Sequence, residues 1–170
     1  MTREHADVDV MILERDEHAL RADLAGVEFA LREGDRPAGP WPPGQRLTAG
    51  LHRLVLTSNS LPTAAEVIVG SAVGTNWVFH RGSAGPRRPL AAITRTWRAI
   101  PYLAPEIILF LKCLADRPKD QHDFDVAWRL LDGEQRAWLL AGIESRSRSA
   151  RSRAGLAPAP HPWAEVLAAT

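Results

Sequence analysis

Two aspartates two residues apart lie near the amino end of the chain, in the strand-like run 7–13. An extended strand alternates its side chains, so Asp7 and Asp9 would share one face, and Val8, Val10 and Ile12 the other. The Cα atoms of the two aspartates would then lie about 6–7 Å apart. Carboxylates so placed suit a hard cation such as Mg²⁺, which prefers carboxylate and phosphate oxygens. The alternative is a solvated strand edge whose two acids simply face water.

A second charged group lies downstream, where Lys112 lies within the apolar helical run predicted after Pro105, and Asp120 and Asp123 belong to the next helix. Helical spacing aligns both aspartates with Phe124, so they should face inward and require partners. Lys112 must either extend its ammonium group to water or pair with an anion, and Glu106 and Asp120 are the two alternatives. The cations available to the inward acids are Lys112, Arg117 and Lys119.

The elements that would position these residues have an α+β order. A short early helix is expected after Asp16, and strand-like runs occur at 7–13, 27–31, 52–57, 64–69 and 76–80. Several strands around one early helix, followed by helices only, predict an α+β fold rather than a repeating βαβ fold. We expect an α/β core over 1–97, a helical region over 98–143, a Ser/Arg/Pro-rich linker over 144–160 and a short terminal segment over 161–170.

Residues 34–46 contain four prolines and three glycines, a composition that argues against regular strand pairing and predicts an irregular loop. A long loop in a compact domain is often a lid or a binding loop. Trp41 in this loop either stacks on the ring of a ligand or fills an apolar gap, and we favour the gap-filling role.

Composition limits the classes of partner and location. With 45% apolar residues, a chain of 170 residues can bury a real core, and its net charge of +1 argues against nucleic acid as a partner. The single cysteine, Cys113, lies in an apolar stretch, which predicts a buried thiol in a reducing compartment. Neither a signal peptide nor a membrane span is evident, so the sequence predicts a cytoplasmic protein.

Several motifs resemble those of the nucleotidyltransferase superfamily. Residues 2–10, Thr-Arg-Glu-His-Ala-Asp-Val-Asp-Val, resemble its T-R-x-H-x-D-h-D-h segment. Residues 103–112 and 117–124 resemble the L-A-P-E-x-x-x-x-x-K and R-x-K-D-x-x-D-F signatures of one branch, the bacterial aminoglycoside and lincosamide nucleotidyltransferases and their relatives. The ending His161-Pro162-Trp163 is also similar to that branch.

The resemblance implies Mg²⁺-dependent transfer of a nucleoside monophosphate from an NTP, such as ATP, to a hydroxyl of a small acceptor, as in antibiotic resistance. It implies that Asp7 and Asp9 hold the metal and that Glu66 completes the site or acts as the base. The alternative for Glu66 is a solvated acid on an exposed strand.

The resemblance also implies that Lys112, Lys119 and Asp120 lie near the nucleotide or brace the helices. It implies that His5 orients an acid or touches a phosphate. A histidine that only caps the first strand is the alternative.

The sequence departs from the family at one place. Family members precede the D-x-D strand with a Gly-Gly or Gly-Ser turn whose backbone amides hold the triphosphate. Here Asp7 lies six residues after Met1, and the first glycine is Gly26. Either the start is assigned too late, or the chain is a fragment, or it is a family member that has lost NTP transfer.

Two rival functions follow from this departure. A catalytically degenerate relative would keep the acidic face as a binding or regulatory module, and its unpaired sheet edge would suit a homodimer or another partner. A toxin-like transferase acting on an RNA end is the other alternative, suggested by the Ser/Arg-rich stretch.

Overall fold

The computed structural model describes residues 7–33, 36–49, 51–56, 64–79, 86–115 and 117–169. It divides the chain into two compact units, an N-terminal unit over Met1–Arg81 and a C-terminal unit over Gly82–Thr170. This division falls before residue 97, where the sequence analysis placed the end of the α/β core. Both helices and mainly antiparallel strands are present, so the α+β prediction is confirmed at the level of fold class.

The N-terminal unit is built on β5, which pairs with three other strands. Residues 64–70 of β5 run parallel to β1, residues 66–68 run antiparallel to β4, and residues 71–73 run antiparallel to β6. Strand β2 lies between β4 and β3 and is antiparallel to both. The elements of this unit are β1 (Asp7–Leu13), α1 (Glu17–Asp23), β2 (Phe29–Glu33), β3 (Arg36–Pro40), β4 (His52–Leu56), β5 (Ala64–Val73) and β6 (Asn76–Val78).

One face of this sheet carries the core of the unit. Alternate residues of β5, Val67 and Val69, are buried together with Leu54 of β4 and Leu31 of β2. Leu20 of α1 packs against the same cluster, so the helix lies on this face. Period-two alternation therefore leaves the even-numbered positions of β5, including Glu66, on the opposite face.

The predicted irregular loop over 34–46 is wrong in part, because β3 lies within it. The strand tolerates its two prolines because it pairs on one side with β2, and the register shifts between Leu31 and Arg32. Proline has no N–H to donate to a ladder, and strand edges and bulges are the places that accept it. Trp41 directly after β3 is buried in the core cluster, which confirms the gap-filling role.

The C-terminal unit contains a hairpin and four longer helices. Its elements are β7 (Arg87–Pro89), α2 (Leu90–Ile93), β8 (Thr94–Trp97), β9 (Ile100–Leu103), α3 (Pro105–Lys112), α4 (Pro118–Ala127), α5 (Gly133–Arg153) and α6 (Pro162–Ala168). Proline at the first position of α3, α4 and α6 fits a helix start, where the N–H has no intrahelical partner. The apolar helix predicted after Pro105 is confirmed, with Ile107, Leu109 and Phe110 buried.

The predicted linker over 144–160 differs from the structure, because residues 144–153 continue α5. The stretch has no proline or glycine, and alternating arginine and serine do not break a helix that a capping box at Asp132 and Gln135 has already started. The helix ends where Gly155 adopts a φ of 67° and its N–H bonds to the carbonyl of Ser152. Glycine is favoured at this left-handed position after a helix.

Within the described ranges of the chain, no helix combines the length and apolar character that a membrane crossing requires.

Candidate functional site

The candidate site lies on the sheet face of the N-terminal unit that faces away from the core. In the register of β1 and β5, Asp9 is the direct neighbour of Glu66, and Asp7 is the neighbour of Ala64. Neighbouring strands lie about 5 Å apart and paired residues point to the same side, so Asp9 and Glu66 are adjacent on one face. Asp7 shares that face by alternation. The predicted common face of Asp7 and Asp9 therefore agrees with the register, and Glu66 lies on that face as well.

Arg53 and Arg32 lie on the same face of the sheet, two residues along the strands from the level of Glu66. Arg53 of β4 is the register partner of Ile68 on one side and of Arg32 on the other. The guanidinium Nη1 of Arg53 lies 3.2 Å from Oε2 of Glu66, and both side chains are about one-quarter exposed. This pair neutralises Glu66 where two further acids stand beside it, as like charges on one face require.

Asp7 and Asp9 are exposed, as are the valines between and after them. Within the part of the chain that the structure describes, no group of three or more histidine, cysteine, aspartate or glutamate side chains converges as a ready metal site. Mg²⁺ is usually held by one or two protein carboxylates together with phosphates of a substrate rather than by an all-protein cage. Asp7 and Asp9 are thus two neighbouring exposed carboxylates, which agrees with the alternative of a solvated strand edge whose acids face water.

The downstream charged group forms a brace between α3 and α4 in the C-terminal unit. Lys112 Nζ lies 2.5 Å from Oδ2 of Asp123 and 3.6 Å from Oδ1 of Asp120. Asp120 is only 1% exposed, and Nε of Arg117 lies 2.5 Å from its Oδ2. Of the partners left open for Lys112, the structure therefore selects Asp120 and adds Asp123. Lys119 is exposed and takes no part in this brace.

His5 lies outside the described residues. The predicted site residues thus fall into two groups on separate units, Asp7, Asp9 and Glu66 on one and Lys112, Lys119 and Asp120 on the other.

A buried ion pair in the C-terminal unit was not predicted. Glu106 is fully buried, its Oε1 lies 3.0 Å from Nη2 of Arg88, and its Oε2 accepts a hydrogen bond of 2.8 Å from Nε2 of Gln135. The Gln135 side-chain oxygen accepts from the backbone N–H of Asp132, so the same residue also closes the capping box of α5. Glu106 stands beside an apolar helical run, which indicates a buried acid. Its cationic partner Arg88 lies 18 residues earlier, and no local sequence pattern indicates this pairing.

The segment 41–49 is fixed by two carboxylates, one at the first residue of α1 and one three residues before it. Oε2 of Glu17 accepts the backbone N–H of Leu47 at 2.6 Å, and Oε1 of Glu14 accepts that of Ala49 at 2.5 Å. Arg21 lies over the Trp41 ring, with its guanidinium carbon 3.2 Å from the ring centroid. Beside them is an open groove of about 620 Å³, whose lining includes Arg21, Leu24, Phe29, Ala30 and Trp41.

Cys113 is buried at the end of α3, as predicted. Burial raises the pKa of its thiol, and the Arg146 guanidinium, whose Nη1 lies 3.8 Å from the sulfur, opposes part of this rise. A buried thiol with a raised pKa is a poor nucleophile, so Cys113 has the properties of a core residue.

Comparisons of this chain with protein-family models, with curated proteins and with solved structures find no match.

Proposed function

We propose that this chain is a Mg²⁺-dependent nucleotidyltransferase that moves a nucleoside monophosphate from an NTP to a hydroxyl of a small acceptor of aminoglycoside or lincosamide type. The observation that supports it is the register of β1 against β5, in which Asp9 and Glu66 are neighbours. Asp7 shares their face of the sheet. Acids on one open face are what this chemistry requires, because a metal must neutralise the phosphates while a base takes the hydroxyl proton.

In this proposal Asp7 and Asp9 would hold a magnesium ion, which would supply positive charge against the phosphates of the nucleotide. Glu66 accepts the proton of the acceptor hydroxyl. Arg53, whose Nη1 lies 3.2 Å from Oε2 of Glu66, positions that carboxylate on the open face. The brace of Lys112, Asp120 and Asp123 keeps α3 and α4 together and has no chemical role.

The first test is nucleotide binding. We expect wild-type protein to bind ATP or GTP in calorimetry only when Mg²⁺ is present, because the phosphates supply the missing metal ligands. Asp9→Asn should weaken Mg-nucleotide binding by about tenfold or more, since it removes a charged ligand. Asp23→Asn, an exposed acid at the end of α1, is the matched control and should bind like the wild type. Wild-type protein that binds neither nucleotide with Mg²⁺ would sink the proposal.

A second candidate function is a nucleotide-binding or partner-binding module without turnover. The exposure of Asp7 and Asp9, and the lack of a converged three-acid group in the described residues, favour it. Of the described strands, only β5 pairs with β1, so its outer edge is suited to a homodimer or another partner. Pyrophosphate release in the presence of aminoglycosides or lincosamides distinguishes the two functions. In the enzyme, Glu66→Gln should lower turnover while Mg-nucleotide binding is kept.

A further inference from the structure

The hairpin of β8 and β9 is anchored at its base and exposed along its length. The N–H of Ala104 bonds to the carbonyl of Ile93 at 2.8 Å, and both residues are buried. The two strands are joined by Arg98 and Ala99, whose φ angles of 47° and 64° are those of a two-residue type I′ turn. The base is therefore fixed in the C-terminal unit, while the turn end faces solvent.

One face of this hairpin carries four large side chains. Arg95 pairs with Tyr102 and Trp97 pairs with Ile100 in the antiparallel register, so all four point to the same side. Trp97 is 60% exposed, Ile100 is 62% exposed and Tyr102 is 46% exposed. Isolated apolar residues on a surface need no explanation, but a contiguous exposed group with two aromatic rings is a candidate surface for a partner.

The charge of the hairpin selects the class of partner. Residues 94–103 contain two arginines and no acid. The guanidinium of Arg98 lies over the Trp97 ring, 4.6 Å from its centroid, so one side of this ring already carries a cation and a stacking partner must use the other side. The C-terminal unit has 13 lysines and arginines against 9 acids, an excess that the near-neutral charge of the whole chain conceals. A complementary partner must therefore carry negative charge and flat apolar groups together.

We propose that this face of the hairpin binds single-stranded nucleic acid. Bases would stack on Trp97 and Tyr102, and phosphates would contact Arg95 and Arg98. Stacking on aromatic side chains and salt-dependent phosphate contacts are the two components of single-strand recognition. A duplex offers the phosphates but hides its base faces, so single strands are preferred. This proposal does not depend on nucleotidyl transfer, because none of its residues belongs to the acidic face.

The experiment is fluorescence anisotropy of the whole chain with labelled oligouridine and oligothymidine at several salt concentrations. Wild-type protein should bind both single strands at low salt, and bind duplex of the same length less tightly. Trp97→Ala should weaken single-strand binding by about tenfold, in the range measured for loss of one stacking side chain. Trp97→Phe should restore most of it.

The double change Arg95→Gln and Arg98→Gln should reduce the slope of log affinity against log salt by about 1.4, because each phosphate contact with a single strand contributes about 0.7. Two changes at exposed positions serve as controls and should leave binding as in the wild type, Arg36→Gln on β3 and Leu130→Ala after α4. Circular dichroism checks that each variant is folded.

Three outcomes would overturn the proposal: no single-strand binding by wild type at low salt, equal binding by Trp97→Ala, or duplex preference. Sedimentation that shows a dimer lost in Trp97→Ala, without oligonucleotide binding, would assign the face to a second copy of the chain instead.

Discussion

Asp120 is a single residue that contributes a large share of the stability of the region around α3 and α4. Its carboxylate has almost no exposed surface, and its two oxygens face Lys112 and Arg117. A buried anion is tolerated only when such partners are present, and removing one member of the set leaves the others without compensation. The R-x-K-D signature thus places its aspartate in a structural brace.

Asp120→Asn should therefore lower the free energy of unfolding by about 2–3 kcal/mol, below the full cost of a broken buried pair because Arg117 is half exposed and can turn to water. Urea denaturation measures the change. Asp125→Asn is the control, since its carboxylate accepts a hydrogen bond from Gln121 at the surface and should cost under about 0.5 kcal/mol. Equal effects of the two changes would contradict the brace.

The turn between β8 and β9 is the element whose backbone departs most from the preference of its residues. A left-handed conformation costs a non-glycine residue about 1–2 kcal/mol. We expect Ala99→Gly to relieve this cost at φ 64° and raise Tm by about 2–4 °C, the shift that roughly 1 kcal/mol produces in a chain of this size.

Ala141→Gly tests the same substitution where the backbone is helical. Ala141 is an exposed position within α5, and glycine there should destabilise the protein by about 1 kcal/mol. Thermal unfolding of both variants gives the comparison. A fall in Tm for Ala99→Gly would mean that the turn is not strained.

Element by element, local signals were predictive where a short pattern decides the structure. Alternation assigned Asp7 and Asp9 to one face of β1, and the apolar run after Pro105 located α3. The prolines of β3 are acceptable only because this strand lies at the edge of the sheet. A position at the edge depends on how all the strands pair, so the local sequence does not indicate it. Low-complexity composition predicts a linker over 144–153, but serine and arginine are compatible with a helix that has already begun.

At the scale of the molecule, partners distant in sequence were the hardest to predict. Arg88 and Glu106 are an example, because their pairing depends on the tertiary fold and on no spacing. The same holds for charge. The formal charge of +1 argues against nucleic acid, yet the acids and bases are distributed unevenly, with the N-terminal unit acidic and the C-terminal unit basic. Global charge alone is therefore a weak guide to partners of this chain.

Ionisation of the single thiol, Cys113, makes the free energy of unfolding depend on pH. Burial raises the pKa of Cys113 in the folded state above its unfolded value. Its contribution to the free energy of unfolding is therefore complete below the unfolded pKa and is lost as pH rises through the folded pKa. Between neutral and alkaline pH, wild type should lose more stability than Cys113→Ala, as measured by urea denaturation. Parallel losses in both proteins would contradict this.

The ties from Glu14 and Glu17 to the backbone of Leu47 and Ala49 have a consequence for anything that enters the groove near Trp41. Leu47 and Ala49 do not line the groove, but the segment that they hold begins at Trp41, which does, and the Nε1–H of Trp41 donates to the carbonyl of Gln45 in the same segment. This side of the groove is therefore fixed before a ligand binds. A fixed side of a groove excludes ligands whose shape does not fit, because it does not rearrange around them. The ligand selectivity of the groove should therefore change when its lining side chains are shortened, and change little when residues are added to the segment 41–49.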